Sequence, residues 1–368
     1  MTRQALTPEE VSAALRSWLG ARFPGAVTDA HAPERLAGGY DFWVYGLRFH
    51  GDGLPGEWTK PMVARIPVVP GRFEMLERET RLQEWVAEHD YPAPAVLELV
   101  PPGELFEHPA QVMRRVPGRT MAAAMIAAPW RLRRYARQLA ASQAALHRVP
   151  APGWAAEDRD WSIAEGRLRL VRHMVAGDDP PPNLAEALER AERLLPLLAT
   201  GSAAGSAGAS PAASPAASPG ASPAASPVVC HGDFHPANLL ISAGQVRVID
   251  WTDAGIGDRH ADIARTAWVF RLAAVAAPRR AQRFLLGALG PLAASVYLAA
   301  YQRELPIDPE RLSLWLPLHL LHAWAMAASA ERDAVGPADP ADVGRAFSPG
   351  LAAWAQREFW RSVEDLPG

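Results

Sequence analysis

Short apolar runs broken by glycine and proline mark the chain from about residue 31 to residue 112. Runs at residues 42–49, 62–66 and 96–100 predict strands, and the glycine-rich turn after residue 50 predicts a hairpin between the first two. Two other segments have helical spacing: residues 73–89, and a helix that starts after Thr7 with Glu10 completing a capping box. We therefore expect a strand-rich first third with two helices.

Beyond the Pro117-Gly118 turn the apolar spacing is helical, over about residues 120–148, 161–176 and 183–199. The whole pattern predicts an α+β protein. Residues 284–301 and 312–330 carry no formal charge and approach the length of a membrane span. Glycine, proline or histidine interrupts both stretches, so we expect buried helices of a helical domain and no membrane partner.

Residues 201–227 differ in kind from the rest of the chain. They contain only alanine, glycine, serine and proline, with Ser-Pro every four residues from Ser210 onward. Such a composition cannot bury a core, and prolines at this spacing favour extended, solvated backbone. We expect a disordered insertion within a domain, and a docking or phosphorylation segment is the alternative.

Composition excludes several classes of protein. The 368 residues are 49% hydrophobic with a formal net charge of −3, which argues against a wholly disordered chain and against nucleic acid as the main partner. Cys230 is the single cysteine, so we expect neither a disulfide framework nor a thiolate-rich metal site, and the cytoplasm fits best. Lys60 is the single lysine among 37 basic residues, which matters because lysine commonly binds phosphate.

The stretch richest in candidate chemistry is residues 228–265, VVCHGDFHPANLLISAGQVRVIDWTDAGIGDRHADIAR. Asp233 precedes Asn238 by five residues, and Asp250 follows twelve residues after Asn238. Two short strands around residues 242–245 predict a hairpin that brings Asn238 and Asp250 to the same end. Their oxygens suit Mg²⁺, and Asp233 on the preceding loop is free to accept a proton from a hydroxyl. Phosphoryl transfer needs these parts.

An aspartate, an asparagine five residues later and a distant metal-binding aspartate also form the catalytic core of protein kinases. The version here, with His-Gly-Asp at 231–233 and Ile-Asp-Trp at 249–251, resembles the aminoglycoside phosphotransferase and choline kinase family of small-molecule kinases. The resemblance implies a protein-kinase-like fold, with a small β-rich N-terminal lobe (residues 1–112) and a larger, mainly helical C-terminal lobe (residues 113–368). It also implies ATP and Mg²⁺ as cofactors.

The same resemblance assigns roles to the motif residues. Asp233 would be the catalytic base, and Asn238 and Asp250 the magnesium ligands. His231 would brace the catalytic loop, and Asp262 would be a structural acid.

The other polar residues of the motif region need an interpretation too. Cys230, His231 and His235 have the spacing of a soft-metal site, although no second cysteine supports it. Asp253 and Asp258 are expected to be solvated or structural loop acids.

In the N-terminal lobe the resemblance implies a hairpin over residues 35–49 that covers the nucleotide. Gly38 and Gly39 would let the backbone approach the phosphates. Residues 113–118 would form the hinge between the lobes, with the backbone around Met113 contacting the adenine.

The phosphate-binding lysine of the family has no direct counterpart. Arg65 occupies its place in the expected strand, and a guanidinium can also bind phosphate and carboxylate. Lys60, at the edge of that strand, is the alternative. The helix partner would be Glu79, with Glu77 as the alternative.

We therefore expect an ATP-dependent phosphotransferase that acts on a hydroxyl of a small molecule. The acceptor would be an aminoglycoside- or macrolide-like antibiotic, or an amino alcohol or sugar metabolite. A pocket for a bulky, weakly charged acceptor would use some of the C-terminal tryptophans, which are Trp315, Trp324, Trp354 and Trp360. The alternative function is a nucleotide-binding pseudokinase or regulatory module with little catalysis, which Arg65 favours. The sequence leaves the oligomeric state open.

Overall fold

A five-stranded antiparallel sheet is the framework of the N-terminal part of the chain. The computed structural model describes residues 5–36, 41–69, 71–156, 161–200, 227–276, 280–333, 350–364 and 366. These residues form two compact units. The first contains residues 5–124 and 237–252, and the second contains residues 125–236, 253–333 and 350–366, as far as each range is described.

In chain order the strands are β1 (Thr28–Asp29), β2 (Glu34–Leu36), β3 (Phe42–Leu47), β4 (Phe49–His50), β5 (Met62–Pro67), β6 (Val96–Val100), β7 (Ala110–Arg114), β8 (Arg119–Thr120), β9 (Val228–Cys230), β10 (Leu239–Ser242), β11 (Gln245–Val248) and β12 (Gly255–Gly257). The α-helices are α1 (Pro8–Arg22), α2 (Phe73–Glu88), α3 (Met121–Ala127), α4 (Leu132–Leu146), α5 (Gly153–Ala156), α6 (Ile163–Val175), α7 (Leu184–Glu192), α8 (Leu195–Thr200), α9 (Arg259–Ala276), α10 (Arg280–Glu304), α11 (Pro309–Asp333) and α12 (Leu351–Glu364).

Strand β5 lies at the centre of the main sheet, whose order is β2-β3-β5-β7-β6. The hairpin of β10 and β11 pairs with β8 and so belongs to the first unit, although it lies more than a hundred residues further along the chain. Helix α1 contributes Val11, Leu15 and Leu19 to a core that also contains Tyr45 and Met62 from the sheet. Burying these apolar side chains against one another stabilises the unit.

The second unit is mainly helical. Its core draws on α6, α7, α9, α11 and α12, and includes Leu168, Leu188, Trp268, Leu318 and Phe359. Two short strands, β9 and β12, pair antiparallel within it. No helix in the described part of the chain is both long enough and apolar enough to cross a membrane.

Most predicted elements are confirmed. The expected hairpin is the antiparallel pair of β3 and β5, and α1 begins with the predicted capping box between Thr7 and Glu10. The helical stretch expected over about residues 120–148 is present as two helices, because a short 3₁₀ turn at Pro129–Arg131 separates α3 from α4. Proline disfavours helical backbone in the residue before it, and Ala128 has φ −141° and ψ 66°. Of the predicted insertion, residues 201–226 lie outside the described residues.

Asp258, at the start of α9, is one of the two loop acids expected to be solvated or structural, and the structure shows it to be buried. Its carboxylate accepts hydrogen bonds from His260 Nδ1 at 2.6 Å, Arg311 Nε at 2.8 Å and Trp315 Nε1 at 3.0 Å. Burial alone would raise the pKa of Asp258, but the hydrogen bonds from His260 and Trp315 outweigh it and lower the pKa well below the ordinary value. Asp258 is therefore structural.

We predict that Asp258→Ala lowers the free energy of unfolding by about 3–5 kcal/mol, because it leaves the Arg311 charge buried without its carboxylate. Urea denaturation at pH 7 measures the loss, and Asp178→Ala, at an exposed position, is the matched control. A carboxylate with a lowered folded-state pKa contributes its full stability above the unfolded pKa of about 4 and loses it as the pH falls. The difference between wild type and Asp258→Ala should therefore shrink below about pH 4, and a constant difference would contradict this assignment.

Candidate active site

Arg65 on β5 is the centre of a buried ionic cluster in the first unit. Its Nη1 donates to Glu79 on α2 and to Gln111 Oε1 on β7, the second bond at 3.0 Å. Its Nη2 donates to Asp250 Oδ1 at 3.1 Å and to Thr252 Oγ1 at 2.9 Å. We call these five residues the Arg65 cluster. Only 8% of Arg65 is exposed, so the guanidinium depends on these partners.

The cluster joins the predicted arginine to the predicted helix glutamate. Arg65 and Glu79 form an ion pair in which both side chains are buried. The two alternatives, Lys60 and Glu77, are exposed. Burial alone would lower the pKa of Arg65, but the charges of Glu79 and Asp250 outweigh it and raise the pKa. Arg65 is therefore a permanent cation in this position.

Thr252 and Gln111 are members of the cluster that the sequence analysis missed. The Thr252 hydroxyl lies 2.8 Å from Asp250 Oδ1 and 3.3 Å from Glu79 Oε2, so it can donate to either carboxylate while it accepts from Arg65. Gln111 is fully buried, and its Nε2 donates to Thr80 Oγ1 at 2.8 Å. No local sequence pattern marks these residues, because their contacts join segments that are far apart in the chain.

The hairpin of β10 and β11 positions the two predicted magnesium ligands as expected. The backbone N–H of Ile249 donates to the Asn238 carbonyl at 2.9 Å, so the two ends of the hairpin are adjacent. Asp250 then adopts a left-handed backbone with φ 64°, which is uncommon outside glycine. Its side chain is 40% exposed. An amide oxygen and an accessible carboxylate are the hard donors that Mg²⁺ prefers, so these residues fit the ion.

Three further residues are predicted to contact the nucleotide. Gly38 and Gly39 lie outside the described residues. Met113 is a buried residue of β7 that pairs with Val63 on β5 and with Val96 on β6. Its role as an adenine contact stays a prediction.

In the second unit, the loop that carries Asp233 follows β9 and is fixed by Asp262. The Asp262 carboxylate accepts the backbone N–H groups of His231 and Gly232, both at 2.7 Å. Gly232 has φ 78°, and a Cβ there would lie 2.0 Å from the Asp253 carbonyl oxygen, so only glycine fits. The backbone N–H of Asp233 also lies 3.3 Å from Nδ1 of the buried His231. The loop that carries Asp233 is thus held by the Asp262 carboxylate and by His231 Nδ1.

The side chains of Arg265 and His235 flank the Asp233 carboxylate. Arg265 on α9 donates to Oδ1 from Nε at 3.0 Å and from Nη2 at 2.7 Å, and His235 Nε2 lies 3.2 Å from Oδ2. Burial alone would raise the pKa of Asp233, but the charges of His235 and Arg265 outweigh it and hold the pKa well below its ordinary value. Asp233 is therefore ionised at neutral pH and can accept a proton from a hydroxyl.

A second buried arginine supports the same loop. Arg167 on α6 donates to the Gly232 carbonyl and, from Nη1, to Asp253 Oδ2 at 2.9 Å. The Arg167 carbonyl lies 3.1 Å from His322 Nδ1. Burial and the nearby Arg167 charge lower the pKa of His322 to about 4, so it is neutral at pH 7. Neither Arg167 nor Arg265 was singled out from the sequence, because both act over long separations in the chain.

Three residues near the loop that carries Asp233 lie close together, and they are not the same three as those of the soft-metal alternative. Among the described residues, ligand atoms of His147, Cys230 and Asp262 lie within 4.8 Å of one another. Asp262 already accepts two backbone hydrogen bonds, and His147 lies between Asp262 Oδ2 at 3.3 Å and Tyr301 Oη at 2.6 Å. Burial and the nearby carboxylates raise the pKa of the Cys230 thiol well above its ordinary value. His147 and Asp262 therefore already have hydrogen-bond partners, and the Cys230 thiol lies 3.5 Å from the Asp258 carbonyl oxygen.

Comparison with known proteins gives the family and the fold. Residues 34–303 match the family described as the phosphotransferase enzyme family, and no curated protein matches the chain significantly in sequence. A candidate aminoglycoside phosphotransferase from Ralstonia eutropha JMP134 has a similar structure, with a TM-score of 0.60 and 15% identity over 97% of this chain and 99% of that chain.

Two ligand complexes are also similar in structure. Amicoumacin kinase hAmiN, solved with AMP-PNP, Ca²⁺ and Ami, has a TM-score of 0.56 and 15% identity over 91% of this chain and 89% of that chain. A thermostable mutant of aminoglycoside phosphotransferase APH(4)-Ia, solved with AMP-PNP and hygromycin B, has a TM-score of 0.54 and 16% identity over 95% and 97%. Since the family match spans most of the sequence and these structures share its architecture, the chain belongs to the phosphotransferase enzyme family and has a protein-kinase-like fold.

Proposed function

We propose that this chain transfers the γ-phosphate of ATP to a hydroxyl of a small molecule. The observation that carries the proposal is the ionised Asp233 carboxylate on a rigidly held loop, in a chain of the phosphotransferase enzyme family. The AMP-PNP present in two structurally similar enzymes supports ATP as the phosphate donor. The candidate acceptors are antibiotics of the aminoglycoside or macrolide type, amino alcohols and sugars.

Asp233 is the proposed base. Its Oδ atoms accept from Arg265 and His235, and its side chain is 25% exposed, so a substrate hydroxyl has access to it. The hydroxyl would donate a hydrogen bond to this carboxylate and transfer its proton as the oxygen attacks phosphorus. His231 keeps the loop in place through its contacts with Asp262 and the Asp233 backbone.

Asn238 and Asp250 are the proposed magnesium ligands. The ion that these two residues would hold would supply positive charge against the negative charge of the nucleotide phosphates during transfer. Within the Arg65 cluster, Arg65 and Thr252 both contact Asp250 Oδ1 and fix the orientation of that carboxylate. Arg65 would add a positive charge near the phosphates, and Gly38, Gly39 and Met113 would complete the nucleotide contacts.

A nucleotide-binding module with little catalysis is the second candidate function. Arg65 favours it, because both of its Nη groups donate to protein acceptors rather than standing free for phosphate. Magnesium-dependent release of ADP in the presence of a hydroxyl acceptor distinguishes the enzyme from the module.

We predict that Asp233→Asn lowers kcat by about 10²- to 10⁴-fold, because the variant has no carboxylate to take the proton. The dissociation constant for AMP-PNP, measured by calorimetry, should change far less. Asp178→Asn removes the same charge at an exposed position and should leave both quantities unchanged. Equal losses of turnover and nucleotide affinity in Asp233→Asn would give that residue a structural role.

We predict that Asp250→Asn raises the metal concentration needed for half-maximal activity by at least about tenfold, because a neutral amide binds Mg²⁺ more weakly than a carboxylate. Mn²⁺ binding in the presence of AMP-PNP, followed by electron paramagnetic resonance, should weaken in parallel. Asp253→Asn, which replaces a carboxylate paired with Arg167, is the matched control. Unchanged Mn²⁺ binding in Asp250→Asn would exclude it as a ligand.

We predict that Arg65→Met lowers the free energy of unfolding by about 3–5 kcal/mol, because Glu79 would remain buried without its cation. Arg65→Lys should recover part of that loss, since one ammonium keeps the charge but not all four hydrogen bonds. Urea denaturation measures the stability of both variants, and calorimetry with AMP-PNP measures their affinity for nucleotide. Lys60→Met is the control, and a larger loss of nucleotide affinity in Lys60→Met than in Arg65→Met would reassign the phosphate contact to Lys60.

A further inference from the structure

Residues 126–137 of the second unit expose two large apolar side chains beside a group of arginines. Trp130 is 77% exposed, and Ile126 is 72% exposed. Four arginines of the same segment are also exposed: Arg131, Arg133, Arg134 and Arg137. Tryptophan and isoleucine are mostly buried in folded proteins, so two of them exposed among cations mark a candidate contact surface.

Helical spacing brings the tryptophan and three of the arginines to one face. The 3₁₀ turn at Pro129–Arg131 runs directly into α4, and three arginines follow Trp130 at intervals of three, four and seven residues. Positions at these intervals are neighbours on a helix surface. The opposite side of α4 is buried through Tyr135, Ala136, Leu139 and Ala140. The exposed side, which we call the α4 face, consists of Trp130, Arg133, Arg134 and Arg137.

No carboxylate compensates the positive charge of the α4 face within the described part of the chain. None of its arginine side chains forms an ion pair or a hydrogen bond there. Residues 108–156 contain eight arginines and neither aspartate nor glutamate, although the whole chain has a net charge of −3. The positive charge is therefore concentrated locally.

The helix that packs against α4 does not supply an acid either. Tyr297 of α10 donates a hydrogen bond to Gln143 of α4, which places the two helices side by side. The single acid of α10 is Glu304, at its C-terminal end. Glu304 pairs with Arg148, beyond the C-terminal end of α4, and so lies away from the α4 face.

This arrangement of charges is unfavourable for the free chain. Arg133 and Arg137 are four residues apart, and like charges at this spacing destabilise a helix. Arginines in the first turn also oppose the helix dipole, and that turn contains no acid. Local conflicts of this kind are expected mainly where function requires them. An anionic partner would remove the conflict.

We propose that the α4 face binds the surface of an anionic lipid bilayer. The three arginines pair with lipid phosphates, and Trp130 enters the headgroup layer, which amphipathic indole rings prefer. Ile126 adds apolar area to the contact. The expectation of no membrane partner is based on spanning segments, and a surface contact needs none. The inference is independent of the proposed phosphotransferase function.

The apolar side chains favour lipid over another polyanion. A nucleic acid also attracts arginine, and one of its bases can stack on Trp130. It has no apolar layer for Ile126, however. A bilayer surface offers both the phosphates and an apolar layer beneath them.

Sedimentation with vesicles measures this binding on the full chain without nucleotide or acceptor. We expect the chain to bind vesicles of one part phosphatidylglycerol to three parts phosphatidylcholine. Pure phosphatidylcholine vesicles should bind it at least about tenfold more weakly, and added salt should weaken binding to the anionic vesicles.

Substitution of the arginines tests whether the α4 face is the contact. A triple variant neutralises them: Arg133→Gln, Arg134→Gln and Arg137→Gln. It should bind anionic vesicles about 10²-fold more weakly, because each basic side chain near an anionic surface contributes about fivefold. The control removes the same charge at exposed positions elsewhere in the second unit: Arg193→Gln, Arg303→Gln and Arg357→Gln. The control should keep most of the wild-type affinity.

Trp130→Ala tests the apolar part of the contact. It should weaken binding to anionic vesicles by about tenfold, because it removes the large apolar side chain that enters the lipid. All the substituted side chains are exposed, so circular dichroism should show that each variant folds like wild type.

Three results would overturn the proposal: equal binding to anionic and neutral vesicles, equal losses in the two triple variants, or unchanged binding in Trp130→Ala. Binding to a DNA oligonucleotide that is lost in the α4-face variant, without binding to vesicles, would assign the face to nucleic acid instead. ADP release without vesicles should be the same in both triple variants. Absence of ADP release from every variant would contradict the phosphotransferase and leave the vesicle result intact.

Discussion

One buried guanidinium, that of Arg65, determines how the first unit is assembled. Its four hydrogen bonds tie β5 to α2, to β7 and to the residues that follow the β10–β11 hairpin. Asp250 lies 185 residues beyond Arg65 in the chain, yet this ion pair holds it beside the central strand of the sheet. A buried charge is stable only when it is paired. Loss of any one charged partner would therefore destabilise the positions of the others. Arg65, on a strand far upstream in the chain, therefore positions the candidate metal ligand Asp250.

The two functional aspartates have different surroundings, and these surroundings suit different tasks. Asp250 shares one oxygen with Arg65 and Thr252 and remains 40% exposed, which leaves the carboxylate accessible to a cation. Asp233 is held between Arg265 and His235, which keep its pKa low. The separation of roles between two carboxylates follows from their neighbours rather than from their own chemistry.

Sequence predicted the parts of this protein that depend on local pattern. The capping box of α1, the β3–β5 hairpin and the adjacency of Asn238 and residue 249 each follow from residues that are close in the chain. The break between α3 and α4 at Pro129 also follows from local sequence, because proline restricts the backbone of the residue before it. Contacts such as Thr252 with Glu79 were not readable, since they join segments 173 residues apart. Long-range partners leave no periodicity or spacing in the sequence, and only the fold reveals them.

The low pKa of Asp233 constrains how it can act in the proposed reaction. A carboxylate that strongly prefers to be ionised is too weak a base to remove the proton of an alcohol before any bond to phosphorus forms. In a loose transition state, however, the attacking oxygen becomes acidic only as its bond to phosphorus develops. Asp233 would then orient the hydroxyl first and receive the proton late. Arg265 and His235 support this order, because they keep the carboxylate charged and fixed until the proton arrives.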